Sequence, residues 1–253
     1  MENFSEFIGR YQDGLAAAFS GIGTTLYVTG GALVIGVFLG LIMALAKMSK
    51  YRILRWIANI YIEIIRGTPL FVQMLILAYG VPTLISGIVS SLTGAPFQFN
   101  WNPIVIVGVI ACGINSGAYQ AEIIRSGIQA INKGQVEASR SLGMSGNQTM
   151  RYIVLPQAFR VIMPALANEF VTLIKETSIL SYIGIVEITR NGQLLSSRTF
   201  QPFSAFISVA IIYMCMTIPL SRWVAYMEAR MGNSNGGRKH KRSRKGNSTI
   251  LNV

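Results

Sequence analysis

Long stretches of this chain carry no charge at all. Residues 14–46, 67–121 and 199–221 contain no Asp, Glu, Lys or Arg, and the segments between them hold both signs. About 20 predominantly apolar residues cross a bilayer as a helix, and inside hydrocarbon the backbone must satisfy its own hydrogen bonds. The pattern therefore predicts an all-α membrane protein with five spans, over residues 23–46, 70–84, 103–121, 162–183 and 203–223. Gly30, Gly31, Gly36 and Gly40 permit close helix contact in the first. Pro69 and Pro82 break up the second, which is short. Residues 1–20 precede the spans, and residues 229–253 follow them as a Gly/Ser/Asn-rich, basic tail expected to be disordered.

Charge placement sets the orientation. The first and third inter-span loops and the C-terminal end carry four, five and eight basic residues, against three on the other side. Basic residues are retained on the cytoplasmic face, so the N-terminus is expected outside and the C-terminus inside. The N-terminal residues are acidic where a secretion signal is basic, and the segment is read as retained.

Composition excludes whole classes of function. The chain is 51% hydrophobic and 13% charged, half the charge of an ordinary soluble domain, with a mean hydropathy of +0.47. The net charge of +12 suggests nucleic acid until it is located. It sits in membrane-flanking loops and in the tail (residues 238–245), where topology explains it and contact with anionic lipid or RNA is the functional reading. No nucleic-acid partner is expected. Cys112 and Cys215 lie in apolar stretches as packing residues, and His240 is alone in the tail. There is no metal-ligand spacing, no nucleophile–base set and no phosphate-cradling loop. Residues 232–238 have G-x-x-x-x-G but then Arg238, with no strand before and no helix after. The chain is not expected to be an enzyme or to hold a cofactor.

The third loop is the most informative. Gln135 to Leu142 has helical composition, Gly143 stops it, Ser145 is placed to cap a second short helix, and Pro156 is expected to end the pair. Glu137-Ala138-Ser139, then Gly143, Ile153, Leu155 and Pro156 at their spacings resemble the EAA loop of bacterial ABC importer permeases, with Ser139 where alanine is usual. Residues 61–73, 118–128 and 168–180 are similar to signatures of the polar amino acid permeases of that family. The resemblance implies a type I ABC importer permease fold over residues 21–228. It implies that Glu137, Ala138, Ser139, Leu142 and Gly143 couple to an ATP-binding ABC subunit dimer carrying ATP and Mg. It also implies a second permease copy or paralogue, and an extracytoplasmic amino acid binding protein.

Charges and polar groups within the spans are the substrate-path candidates, because burying them in lipid is costly. Glu169 and Glu176 are seven apart on span four with Thr172 between them, and so share a face. Thr177 and Ser178 add hydroxyls beside Glu176, a set that suits an ammonium group; a structural pairing with Lys175 is the rival reading. The helix is expected to break at Arg66-Gly67-Thr68-Pro69, and freed N–H groups there, with Thr68 and Gln73, suit a carboxylate. Asn115 and Ser116 line the path or join two helices. Glu63 with Arg66, and Glu122 with Arg125, are each three apart and read as ion pairs. The leading expectation is the permease subunit of an ATP-driven amino acid importer. The rival is a secondary transporter or channel using Glu169, Lys175 and Glu176, which leaves the loop unexplained.

Overall fold

A computed structural model describes residues 4–236, with side chains from Ile8 to Met231. Every regular element among them is helical. Helices α1 (Phe4–Ser20) and α2 (Ile22–Met48) meet at Gly21, and together form a 41-residue apolar rod from Ile8 to Met48. Helix α3 (Arg52–Gly67) ends at the extended pair Thr68-Pro69. Helix α4 (Leu70–Leu75), a π turn at Ile76–Gly80 and α5 (Val81–Thr93) then make a 24-residue apolar run. Helix α6 (Val105–Gln129) follows, then the elbow helices α7 (Lys133–Ser141) and α8 (Gly146–Thr149). A second π turn at Met150–Val154 feeds α9 (Leu155–Glu176), which tightens into a 3₁₀ segment at Thr177–Ile183. Helices α10 (Ile188–Thr199) and α11 (Pro202–Gly236) complete the chain, and Pro202–Met231 is the third long apolar stretch.

Large apolar side chains point outward: Val34, Phe38, Leu92 and Phe203 are each more than 60% exposed. A water-facing surface rarely carries so much exposed hydrocarbon; a lipid-facing one requires it. Inside, α6 is central, packed on α2, α3, α4 and α9. With α9 it is long enough to cross, ~37 and ~33 Å at 1.5 Å per residue. These two interrupt their apolar sequence with Asn115, Ser116 and Gln120, and with Asn168, Glu169 and Thr172. The helices at the centre of the bundle thus carry polar side chains in mid-sequence. The α2–α6 seam depends on absent side chains: a Cβ at Gly36 would lie 2.6 Å from Gln120 Nε2, and one at Gly31 would lie 2.8 Å from Val109. Gly30, expected at the same contact, faces open space.

Two prolines behave differently from the sequence reading. Pro82 does not break the second span, and Pro156 does not end the elbow; helix continues past both. A π turn precedes each. The N–H of Val81 donates to the Ile76 carbonyl and that of Leu155 to Met150, both five residues back. That wider turn leaves room for a ring and removes the need for the missing donor, so each proline sits in the first turn of a new helix. At the N-terminus, residues 4–20 form a helix packed on α10 and α11. At the other end α11 continues beyond 229 to Gly236, while the basic run at 238–245 and His240 lie outside the described residues.

Candidate functional site

The break at Thr68-Pro69 is where the polar interior begins. Proline cannot donate to the Ile65 carbonyl, so the helix opens and Gln73, on the first turn of α4, fills the gap. Its Nε2 donates to Ile65 O at 2.7 Å, Thr68 O at 3.0 Å and Thr68 Oγ1 at 2.8 Å. Its Oε1 accepts from Asn115 Nδ2 of α6 at 3.0 Å. Thr68 Oγ1 in turn donates to Ile64 O. Thr68 and Gln73 border a cavity of about 280 Å³ whose other walls are aliphatic, from Ile64, Val72, Ile76 and Ile114.

One residue along α6, the polarity turns toward α9. Ser116 donates to Glu169 Oε1 at 2.9 Å and accepts from Gln120 Nε2 at 2.9 Å. Gln120 is fully buried, and its Oε1 has no hydrogen-bond partner among the described residues. Glu176 lies two turns along α9, half-buried and within electrostatic reach of both Glu169 and Lys175. Four of the expected path residues, Gln73, Asn115, Ser116 and Glu169, thus form one seam across α4, α6 and α9. Gln120 belongs to it and the sequence reading missed it; a glutamine four residues after Ser116 on a buried helix was the available signal.

The other expected path residues are placed differently. The Thr172 hydroxyl donates to Asn168 O and that of Thr177 to Ile174 O, so both are engaged by their own helix. Thr177 is also completely buried, and Ser178 is half-buried in the 3₁₀ segment. Lys175 is exposed and has no ion pair among the described residues, so a structural Lys–Glu pairing is absent. Nor do Glu63 and Arg66 pair. Arg66 lies over the ring of Tyr119 at 5.2 Å instead, a cation–π contact that joins the end of α3 to α6.

Glu122 and Arg125 do pair: both Arg125 Nε and Nη2 reach Glu122 Oε2, at 2.9 and 2.6 Å. Lys47, at the end of α2, bonds to the other carboxylate oxygen, a contact across 75 residues that spacing along one helix does not reveal. Burial alone pushes the Glu122 carboxyl up, but the bonds and charges of Lys47 and Arg125 outweigh it and hold it below the ordinary carboxylate range. A second unforeseen carboxylate is Glu187, fully buried, which caps α10 by accepting from the N–H groups of Thr189 and Arg190 and from the Tyr213 hydroxyl at 2.8 Å.

At the elbow, Gly143 has φ +84°, a left-handed turn that ends α7, and Ser145 forms a capping box with Gln148. Glu137, Ala138 and Leu142 are exposed, Leu142 by 85%. Ser139 is not with them. It is buried, donates to Val136 O and bonds Thr149 Oγ1 at 3.0 Å, so it locks α7 to α8 instead of facing a partner.

The chain matches the family described as binding-protein-dependent transport system inner membrane component over residues 36–233. The L-cystine transport system permease protein TcyB of Bacillus subtilis (strain 168) is 40% identical over 212 residues, 83% of this chain and 85% of that one. The arginine transport system permease protein ArtQ of the same organism is 36% identical over 203 residues, 79% and 86% of the two chains. Among solved structures, an amino acid ABC transporter with histidines aligns with a TM-score of 0.77 at 41% identity, covering 91% of this chain and 99% of that one. The MetNI methionine ABC transporter aligns at 0.56 and 14% identity over 83% and 93%, a likeness of fold alone.

Proposed function

The chain belongs to the binding-protein-dependent transport system inner membrane components, multi-pass proteins of the bacterial plasma membrane, and on that premise we propose that it is the permease of an ATP-driven amino acid importer. It crosses the membrane five times, N-terminus outside and C-terminus inside. It pairs with a second permease copy or a paralogue, two ATPase subunits holding ATP and Mg, and an extracytoplasmic binding protein.

The observation that carries this reading is a continuous rod. From Gly146 the elbow runs through the π turn into α9, and α9 bears Glu169 and Glu176. The rod spans ~46 Å at 1.5 Å per residue. A push on exposed Glu137, Ala138 and Leu142 passes through the Ser139–Thr149 lock and the Gly143 turn into that rod, and so to the Ser116–Glu169 contact. Nucleotide-driven closure of the ATPases moves the elbows. The spans then open outward, the binding protein releases its ligand, and hydrolysis restores the inward state. Within the path, Glu169 and Glu176 attract the substrate ammonium, while the freed N–H groups at the start of α4, beside Thr68, Gln73 and Asn115, receive the carboxylate.

The test is reconstitution with the cognate ATPase and binding protein, and labelled amino acid uptake into vesicles. Uptake should require ATP and persist when ion gradients are collapsed. Gradient-driven uptake without ATP would instead establish the secondary transporter.

A further inference from the structure

Helices α9 and α11 run in opposite chain directions, so early residues of α9 meet late residues of α11. Two cavities flank their seam and share Val224. One, about 440 Å³, opens between α2, α9 and α11 and is lined only by apolar side chains, among them Leu33, Phe159, Met163, Phe170, Trp223 and Met227. The other, about 450 Å³, holds Arg160 and Asn168 from α9 and Glu228 from α11. Arg160 directly follows Phe159, and Glu228 directly follows Met227. A cation and an anion therefore stand beside the two groove walls at the elbow end of the seam. Neither has an ion pair or side-chain hydrogen bond among the described residues. Pro164 lies between them in the same cavity, and because proline has no N–H it leaves the Arg160 carbonyl without its helical donor.

We propose that this seam is a binding site for a single aminophospholipid, with one acyl chain along the α2–α9–α11 groove, its phosphate on Arg160 and its ammonium on Glu228. Length supports the acyl assignment. The groove follows α9 from Phe159 to Val171, ~18 Å, close to the ~15 Å of one leaflet's hydrocarbon. Depth supports the headgroup: half-exposed Trp223 is an aromatic of the type that marks the interface, and the charges lie at that end. The pair of unlike charges selects the class. A purely anionic headgroup would satisfy Arg160 and be repelled by Glu228, whereas an ammonium phosphodiester satisfies both.

The experiment reconstitutes the full chain in vesicles doped with brominated phosphatidylethanolamine or brominated phosphatidylglycerol. Quenching of Trp223 is taken as the difference between wild type and Trp223→Phe, which removes Trp56 and Trp101 from the reading. Quenching by the ethanolamine lipid should exceed that by the glycerol lipid about threefold, a ratio within reach of one exposed ion pair. Glu228→Gln, at an exposed position, should bring that ratio to about one. Equal quenching in wild type would overturn the headgroup assignment. Absence of quenching by either lipid would mean that a second protein copy covers the groove, and would overturn the site. Loss of the ratio on adding millimolar free glycine would assign the charged cavity to a soluble zwitterion and also overturn it.

Discussion

Asn115 on α6 donates its amide to Gln73 on α4 at 3.0 Å, and with the Arg66–Tyr119 contact this bond ties the two halves of the broken helix to the centre of the bundle. Gln73 is the one side chain that both fills the gap left by Pro69 and contacts the polar residues of α6. The opening in the helix is therefore a fixed joint rather than a loose one. Its backbone acceptors are satisfied from within the protein, which is how unwound chain persists at membrane depth.

Gln73→Leu should release the Ile65 and Thr68 carbonyls and the Asn115 amide together. Of these the Asn115 amide is buried, and a buried polar group left unpaired costs about 1–3 kcal/mol. The expected result is a lower thermal midpoint for the detergent-purified protein and a fall in reconstituted uptake of at least about tenfold, the equivalent of 1.4 kcal/mol. Unchanged uptake would show that the joint opens freely during transport and that Gln73 does not hold it.

Gly143 tests the elbow through its backbone alone. A Cβ there meets nothing within 4 Å, but φ is +84°. Gly143→Asn should be tolerated, because asparagine visits the left-handed region, whereas Gly143→Val should cost about 1–2 kcal/mol locally. The readout is uptake-coupled ATP hydrolysis by the assembled transporter, expected near wild type for Asn and strongly reduced for Val. Equal loss in both variants would point to a side-chain clash with the partner instead.

The Lys47–Glu122–Arg125 cluster predicts a pH dependence. Glu122 titrates below its unfolded value, so it contributes stability that is fully present above the unfolded carboxylate range and is lost as pH falls through the lowered folded value. The brace between α2 and α6 should therefore weaken on acidification. Thermal melts of wild type against Glu122→Gln should converge at low pH and differ at neutral pH. A gap that stays constant across that window would mean the carboxylate charge contributes nothing.

The Glu187 carboxylate accepts three hydrogen bonds in a fully buried site. Glu187→Gln keeps the shape but offers one acceptor oxygen where two are used, and turns an amide donor toward a backbone N–H or the Tyr213 hydroxyl. A loss of about 1–3 kcal/mol is expected in unfolding measurements. Tyr213→Phe should lose less, since the carboxylate keeps both capping bonds. The reverse order would show that the tyrosine, not the cap, fixes α10 on α11.

Much of this protein was legible in one dimension. Uncharged runs report lipid contact because bilayer hydrocarbon excludes charge, whatever the rest of the chain does. The break before Pro69, the Gly143 turn and the Ser145 cap were equally readable, since each follows from the dihedrals or missing donor of a single residue. Contacts decided everything else. Proline alone does not state whether helix stops; the π turns before Pro82 and Pro156 let it continue. Spacing of three made Glu63–Arg66 and Glu122–Arg125 look alike, yet only the second pair forms, because Tyr119 draws Arg66 away and Lys47 arrives from another helix. The family resemblance also placed Ser139 among the docking residues, and packing turned it inward to Thr149. The sequence by itself determined what the chain must dissolve in and where its backbone must turn, both being properties of local residues. Which polar groups meet was decided only in the tertiary structure, since those energies depend on neighbours that lie up to 197 positions away along the chain.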